Sequence, residues 1–257
     1  HRTEYRYDQP IRYALQRLRL VPTSSPLQNV LNWMLAIDGA REEVCFQDHF
    51  GNDTRLVGVE GEPHAIAIEA SGEVETFDKA GVFGAHRGFA PLWLFCPETP
   101  LTTVGEGIAA LAAGVGAAGG DLDKLHRLMA AIAERIVYAP GATHSGTTAE
   151  AALGQGSGVC QDHAHVFIAA ARRLGFPARY VSGYLMMEGV GEQVASHAWA
   201  EAHVDGLGWV AFDPANCISP DARYVRLATG RDYQDAMPVS GILLGQAEEQ
   251  LAVRITV

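Results

Sequence analysis

The hydrophobic period changes along this chain, and where it changes limits the fold more than any other feature. From residue 1 to about 78, apolar residues follow short two-residue alternations. "HAIAIEASGEVETF" alternates at Ile66 and Ile68, while "RYALQRLRLVP" and "EVCFQDHF" do so in part. "GND" and "ASGE" supply turn chemistry between such runs. Between about 121 and 174 the period becomes helical, and from 178 onward it returns to strands. Helices gathered in one stretch do not alternate with parallel strands, so the layout is α+β with antiparallel sheet. No helix-period segment of convincing length interrupts residues 1–78, and these are expected to form a small N-terminal β-sandwich.

Residues 79–120 read as a connector rich in Gly, Pro and aromatics. Its Phe, Trp and Leu residues want burial, so it is expected to lie on a surface, with a short helix near Gly105 to Ala113. Residues 121–257 read as the second domain. Asp121 is expected to cap a helix whose Leu122, Leu125, Met129, Ile132 and Ile136 fall on one face. A short helix follows near Thr148 to Leu153. A longer one starts at Cys160, with Ala164, Phe167, Ile168, Ala171 and Leu174 apolar, Gly175 as its C′ residue and Pro177 just beyond. Strands follow in "ARYVSGYLMM", "SHAWAEAHV" and "WVAFDPANC". The last, "LAVRITV", alternates at Leu251, Val253, Ile255 and Val257, and is expected to pair into a sheet of either domain.

Composition narrows the partners. The 257 residues are 48% hydrophobic and 19% charged, with a formal net charge of −11. No Lys/Arg-rich run occurs, which argues against a nucleic-acid surface and an anionic membrane patch. No apolar run approaches the roughly 20 residues of a membrane-spanning helix. The chain begins at His1 rather than Met, so upstream residues removed from it are one expectation. Its polar start lacks the apolar core of a signal peptide. Cys45, Cys96, Cys160 and Cys217 are widely spaced, without a C-x-x-C pair. A reducing, cytoplasmic setting is expected, with Cys45 and Cys96 as buried thiols.

Cys160 stands where spaced glycines, Gly154, Gly156 and Gly158, give way to a helix. A helix start presents unpaired N–H groups and the positive end of the dipole, which favour a thiolate and can stabilise an oxyanion. The glycines would allow close approach and leave room for a substrate. A buried thiol beside a glycine-rich turn fits the same segment, and from it alone both readings stand. A cysteine nucleophile also needs an oriented base. "SHAWAEAHV" sets His197, Trp199, Glu201 and His203 against Ala198, Ala200, Ala202 and Val204. A hairpin turn at Asp205 to Gly208 would bring His197 opposite residues 214–216, with Asp213 near enough to orient it. Asn216 and Glu201 are the alternative partners. His163 and His165 lie on the Cys160 helix itself and suit packing better than catalysis. A metal site from Cys160, His163, His165 and His197 lacks the i, i+4 histidine spacing of a helix ligand pair. No metal or cofactor is expected.

"GSGVCQDHAHVFIAAARRLGFPARYVSGYL" followed by "SHAWAEAHVDGLGWVAFDPANC" resembles the transglutaminase-like superfamily, most closely its bacterial branch, provisionally labelled cysteine proteases. The likeness is strongest from Tyr138 to Cys217. It extends to "GRDYQDAMPVSGILLG", and more weakly to a bacterial N-terminal β-sandwich region over the first 78 residues. It implies a papain-like core, with the nucleophile on a helix and its partners on a sheet, and it implies Cys160, His197 and Asp213 as catalytic residues. The expected reaction is acyl transfer through a thioester: hydrolysis of a peptide, protein or isopeptide, or transfer to an amine. A non-catalytic peptide-binding module is the reading of another class. Gln161, Tyr184 and Trp199 are expected to line the cleft, with Asp232 and Tyr233 closing it, while Asp162 suits helix N-terminal hydrogen bonding.

Overall fold

The alternating stretches form β1 (Arg2–Tyr7), β2 (Tyr13–Leu18), β3 (Gln28–Asp38), β4 (Ala40–Gln47), β5 (Asp53–Val59) and β6 (Ala65–Thr76) in the computed structural model. It describes all residues of the chain except 60, 117–118, 188 and 245–246. Thr3, Tyr5 and Tyr7 of β1 and Ile66, Ile68 and Ala70 of β6 point inward, and Ala14, Gln16 and Leu18 of β2 do the same from the other side. This is the two-residue period realised as a half-buried sheet. Two four-stranded antiparallel sheets result, and each needs a strand from the far end of the chain. β14 (Val239–Leu244) pairs with β2, and β15 (Glu249–Arg254) pairs with β1. The sheet orders are β15-β1-β6-β3 and β14-β2-β5-β4. β14 and β15 thus complete the sandwich, although the sequence places 121–257 in the second domain and leaves open only which sheet Leu251–Val257 joins.

The connector is part of the second unit. β7 (Val82–Gly84) adds to the edge of its sheet, a 3₁₀ turn spans Leu92–Phe95, and α1 is Glu106–Gly114. Phe95 is buried against Trp209, but Phe89 and Trp93 are exposed, contrary to the expected burial. Then come α2 (Asp121–Arg135), β8 (Val137–Tyr138), α3 (Ala149–Gln155), β9 (Ser157–Gly158) and α4 (Cys160–Arg173). The N-cap of α2 is Gly120, and Asp121 is its first helical residue. The capping carboxylate is that of Asp123, which accepts from the Gly120 N–H at 3.1 Å. α1 has no side-chain cap of its own. Glu150 of α3 caps it instead, accepting from the N–H groups of Gly105, Gly107 and Ile108.

β10 (Ala178–Leu185), β11 (His197–Val204), β12 (Gly208–Phe212) and β13 (Tyr224–Gly230) form the core sheet, in the order β13-β10-β11-β12-β7; α5 is Tyr233–Ala236. α4 is buried nearly all round, between the other helices and this sheet. The small face of β11, Ala198, Ala200 and Ala202, lets α4 lie close against it. Gly175 ends α4 in the left-handed region at φ 94°, and Phe176 N–H bonds back to Ala171 O. Side-chain amides join the two units by extending the β13 ladder. Asn52 donates to Thr229 O and accepts from Thr229 N–H, both at 2.8 Å, and Gln28 treats Arg226 the same way. Among the described residues no helix is long and apolar enough to cross a membrane.

Candidate active site

The start of α4 is fixed by its third residue. The Asp162 carboxylate accepts from the Val159 N–H at 2.8 Å and from the Thr143 hydroxyl at 2.6 Å. Gly158 makes room for it, because a Cβ there would meet the Asp162 side chain at 2.6 Å. Gly156 ends α3 at φ 69°, which favours glycine. Two of the three glycines therefore shape the backbone rather than a substrate space. Cys160 is the first residue of α4, 8% exposed, with the helix N-terminus behind it.

His197 opens β11 on the sheet facing α4. Its Nε2 lies 2.7 Å from Asp213 Oδ2. Cys160 is near enough to act on the ring's titration together with that carboxylate. Burial works to lower the His197 pKa, but the hydrogen bonds and charges of Asp213 and Cys160 prevail and push it up to about 10.

Asp213 is wholly buried, and five donors surround it. Besides His197, the Asn216 side chain and the Tyr224 hydroxyl reach Oδ2 at 2.7 Å, and the N–H groups of Ala215 and Asn216 reach Oδ1. Burial alone would raise its pKa. The bonds from His197, Asn216 and Tyr224, with the His197 charge, instead hold it below the usual value. Asn216, an alternative partner for His197 by sequence, serves the aspartate. Glu201 lies elsewhere, buried between Arg179 and Arg226.

The remaining expected residues divide. Gln161 is half-buried and donates to Ser145 O at 3.2 Å, beside the nucleophile. Trp199 is buried under the His197 ring, stacked at 6.3 Å, so it supports the imidazole and does not wall the cleft. Tyr184 packs against the sandwich, its hydroxyl 2.7 Å from His1 Nδ1. Asp232 is buried as the N-cap of α5, accepting from Gln234 N–H, and does not close the cleft. Tyr233 is near enough for Cys160 to help raise its phenol pKa, after burial.

Neither helix histidine is placed to act as a base. His163 directs its two ring nitrogens at the carbonyls of Val159 and Ile136. His165 is held neutral by burial and then by the Arg172 charge, its pKa pushed down to about 3, and its Nε2 accepts from Tyr233 N–H. Among the described residues no three of His, Cys, Asp or Glu are grouped to hold a metal ion. Cys45 and Cys96, expected to be buried, are exposed: Cys45 lies on β4, an edge strand whose two faces are both open.

Sequence reasoning missed Tyr138 and Tyr224. Tyr138 stands near Cys160, which with burial raises its phenol. Nothing in "ARYVRLATG" marks Tyr224. For Asn216 the turn signature D-P-x-N was a usable signal.

Residues 109–214 match the family model of the transglutaminase-like superfamily, and residues 1–75 match that of the bacterial transglutaminase-like N-terminal region. Residues 109–214 are thus a transglutaminase-like region, preceded by the bacterial N-terminal region that the second model describes. The chain is 28% identical to a Mycobacterium leprae protein described as uncharacterised, over 100% of this chain and 96% of that one. It is 29% identical to a Mycobacterium tuberculosis protein, also described as uncharacterised, over 98% of this chain and 88% of the relative. A crystal structure from Cytophaga hutchinsonii, provisionally described as a cysteine protease, matches with a TM-score of 0.76 at 22% identity, covering 100% of this chain and 89% of that one. That likeness is one of fold.

Proposed function

We propose that the protein is a thiol-dependent acyl-transfer enzyme acting on amide bonds, with Cys160 as nucleophile, His197 as general acid and base, and Asp213 as the group that orients His197. The observation that carries this reading is the His197 ring, bonded to the buried Asp213 and near enough to Cys160, at the start of α4, for the thiol to help raise its pKa. The thiolate attacks the carbonyl carbon, and the negative charge that develops on oxygen falls toward the first-turn N–H groups of α4. The C–N bond then breaks as the imidazolium gives its proton to the leaving nitrogen. In the second half-reaction the neutral imidazole takes a proton from water or an amine. That nucleophile attacks the thioester, and the thiolate leaves.

Hydrolysis of a peptide or isopeptide is the favoured outcome. The Cytophaga hutchinsonii structure, whose description names a protease, supports it by fold analogy. Transfer to an amine shares every step up to the acyl-enzyme. A peptide and isopeptide library, incubated with and without an added amine and read by mass spectrometry, tests both outcomes. Hydrolysed products that vanish in Cys160→Ala support hydrolysis, whereas amine adducts that dominate over hydrolysis point to transfer. Product formation unchanged in Cys160→Ala contradicts the assignment altogether.

A further inference from the structure

Beside His197 the surface opens into a cleft of about 560 Å³. Its lining includes Met187, Val190 and Val194 from the connection between β10 and β11, together with Tyr138 and Asn216. Met187 and Val190 are about two-fifths exposed, and Val194 is 81% exposed. A wall of exposed apolar side chains next to an imidazole has no structural task of its own. The wall is anchored. Gln193 exchanges two backbone hydrogen bonds with Ile255, at 2.7 and 2.8 Å, and its side chain donates to Leu185 O at 2.9 Å. Ile255 is buried in the sandwich core, so the sandwich holds this connection in place. Among the described residues of the lining the one carboxylate, Glu192, faces Arg254 at 3.7 Å.

The position of the cleft decides what it holds. His197 lines it and Cys160 does not, so it lies on the imidazole side of the reacting pair. In acyl transfer the imidazole delivers its proton to the departing nitrogen. The amine part of a substrate therefore lies over His197, while the acyl part stays with the sulfur. Resting on the acyl-transfer reading above, we propose that this cleft is the subsite for the amine component, and that it selects an amine bearing a large aliphatic or aromatic side chain. The leaving fragment would be a peptide that begins with such a residue. The same subsite would receive an apolar amine as acceptor: its nitrogen bonds to the thioester carbonyl carbon, the C–S bond breaks, and the nitrogen's proton passes to His197.

The test uses p-nitrophenyl acetate as acyl donor, which transfers its acetyl group to the thiol as p-nitrophenolate leaves. Leucinamide or glycinamide then competes with water for the acetyl-enzyme. The ratio of N-acetyl amide to acetate should be about ten-fold or more higher for leucinamide, the lower end of what burial of an isobutyl group gives. Met187→Asp and Val194→Asp should each cut that preference to about three-fold or less. Binding of the two amides to Cys160→Ala, followed by NMR, separates recognition from chemistry, and leucinamide alone should shift signals of residues 187–194. An acetyl-enzyme that treats both amides alike, or a preference that survives both substitutions, overturns the subsite and leaves the acyl-transfer reading standing. Selective binding by Cys160→Ala, with no acetyl-enzyme in the wild type, keeps the cleft's selectivity and removes the reaction.

Discussion

Asp213 has five donors and no exposure, so its charge is held by the protein alone. Losing one donor from a buried carboxylate costs about 1–3 kcal/mol. Tyr224→Phe should therefore lower stability by that order in a urea titration, and it should disturb His197 through Asp213. Asp213→Asn removes the carboxylate that, with Cys160, lifts His197 to about 10. The wild-type rate is expected to fall on the alkaline side near pH 10, and that limb should move to lower pH in Asp213→Asn. Turnover should drop at least about ten-fold, yet less than on loss of Cys160. Stability carries the same signature. His197 is raised above its ordinary 6.5, so its contribution is fully present below pH 6.5 and fades as pH rises through about 10. Asp213 is lowered, so its contribution is present above about 3.8 and is lost as pH falls through the folded value. Urea midpoints across pH should fall at both ends. An unchanged alkaline limb in Asp213→Asn would contradict the link between the two residues.

The helix that carries Cys160 and the hairpin that carries His197 were readable from local pattern. Spaced glycines, a 3.6 period and a Gly175 stop delimit α4, and the turn at Asp205 to Gly208 sets the β11–β12 register. From that register Asp213 was already close to His197 in sequence. Tyr224 was not legible, because β13 joins β10 and not β12, and strand order in a sheet leaves no local trace. The packing of Tyr184 against the sandwich was hidden for a like reason: its partner, His1, lies at the other end of the chain. Gly158 belongs to this scale. Gly158→Ala should push on Asp162, loosen the α4 start and lower stability by about 1–3 kcal/mol. Circular dichroism melts check it, and a wild-type melting temperature would show that Asp162 can shift without cost.

At the scale of the molecule, sequence pattern located a strand-rich start and a helix-then-sheet core but not their exchange of strands. β14 and β15 cross the whole chain to cover β2 and β1, and nothing local in residues 239–254 names those partners. Removing residues 239–257 should bare both edges, and with them the Ile255 anchor of the cleft wall. Such a chain is expected to lose its cooperative melt and aggregate. Asn52→Ala, which breaks two buried bonds to β13, should cost about 1–3 kcal/mol without changing the Cys160 site. The central claim concerns four thiols in one chain. Cys45, Cys96 and Cys217 are exposed, whereas Cys160 is buried. Simple access would make Cys160 the slowest to react. The direct measurement is brief treatment with p-nitrophenyl acetate, followed by peptide mass spectrometry of all four cysteines in the wild type and in His197→Ala. Acylation of Cys160 ahead of the other three, lost in His197→Ala, is the expected result. Labelling that follows exposure, with Cys160 last in both proteins, would contradict it.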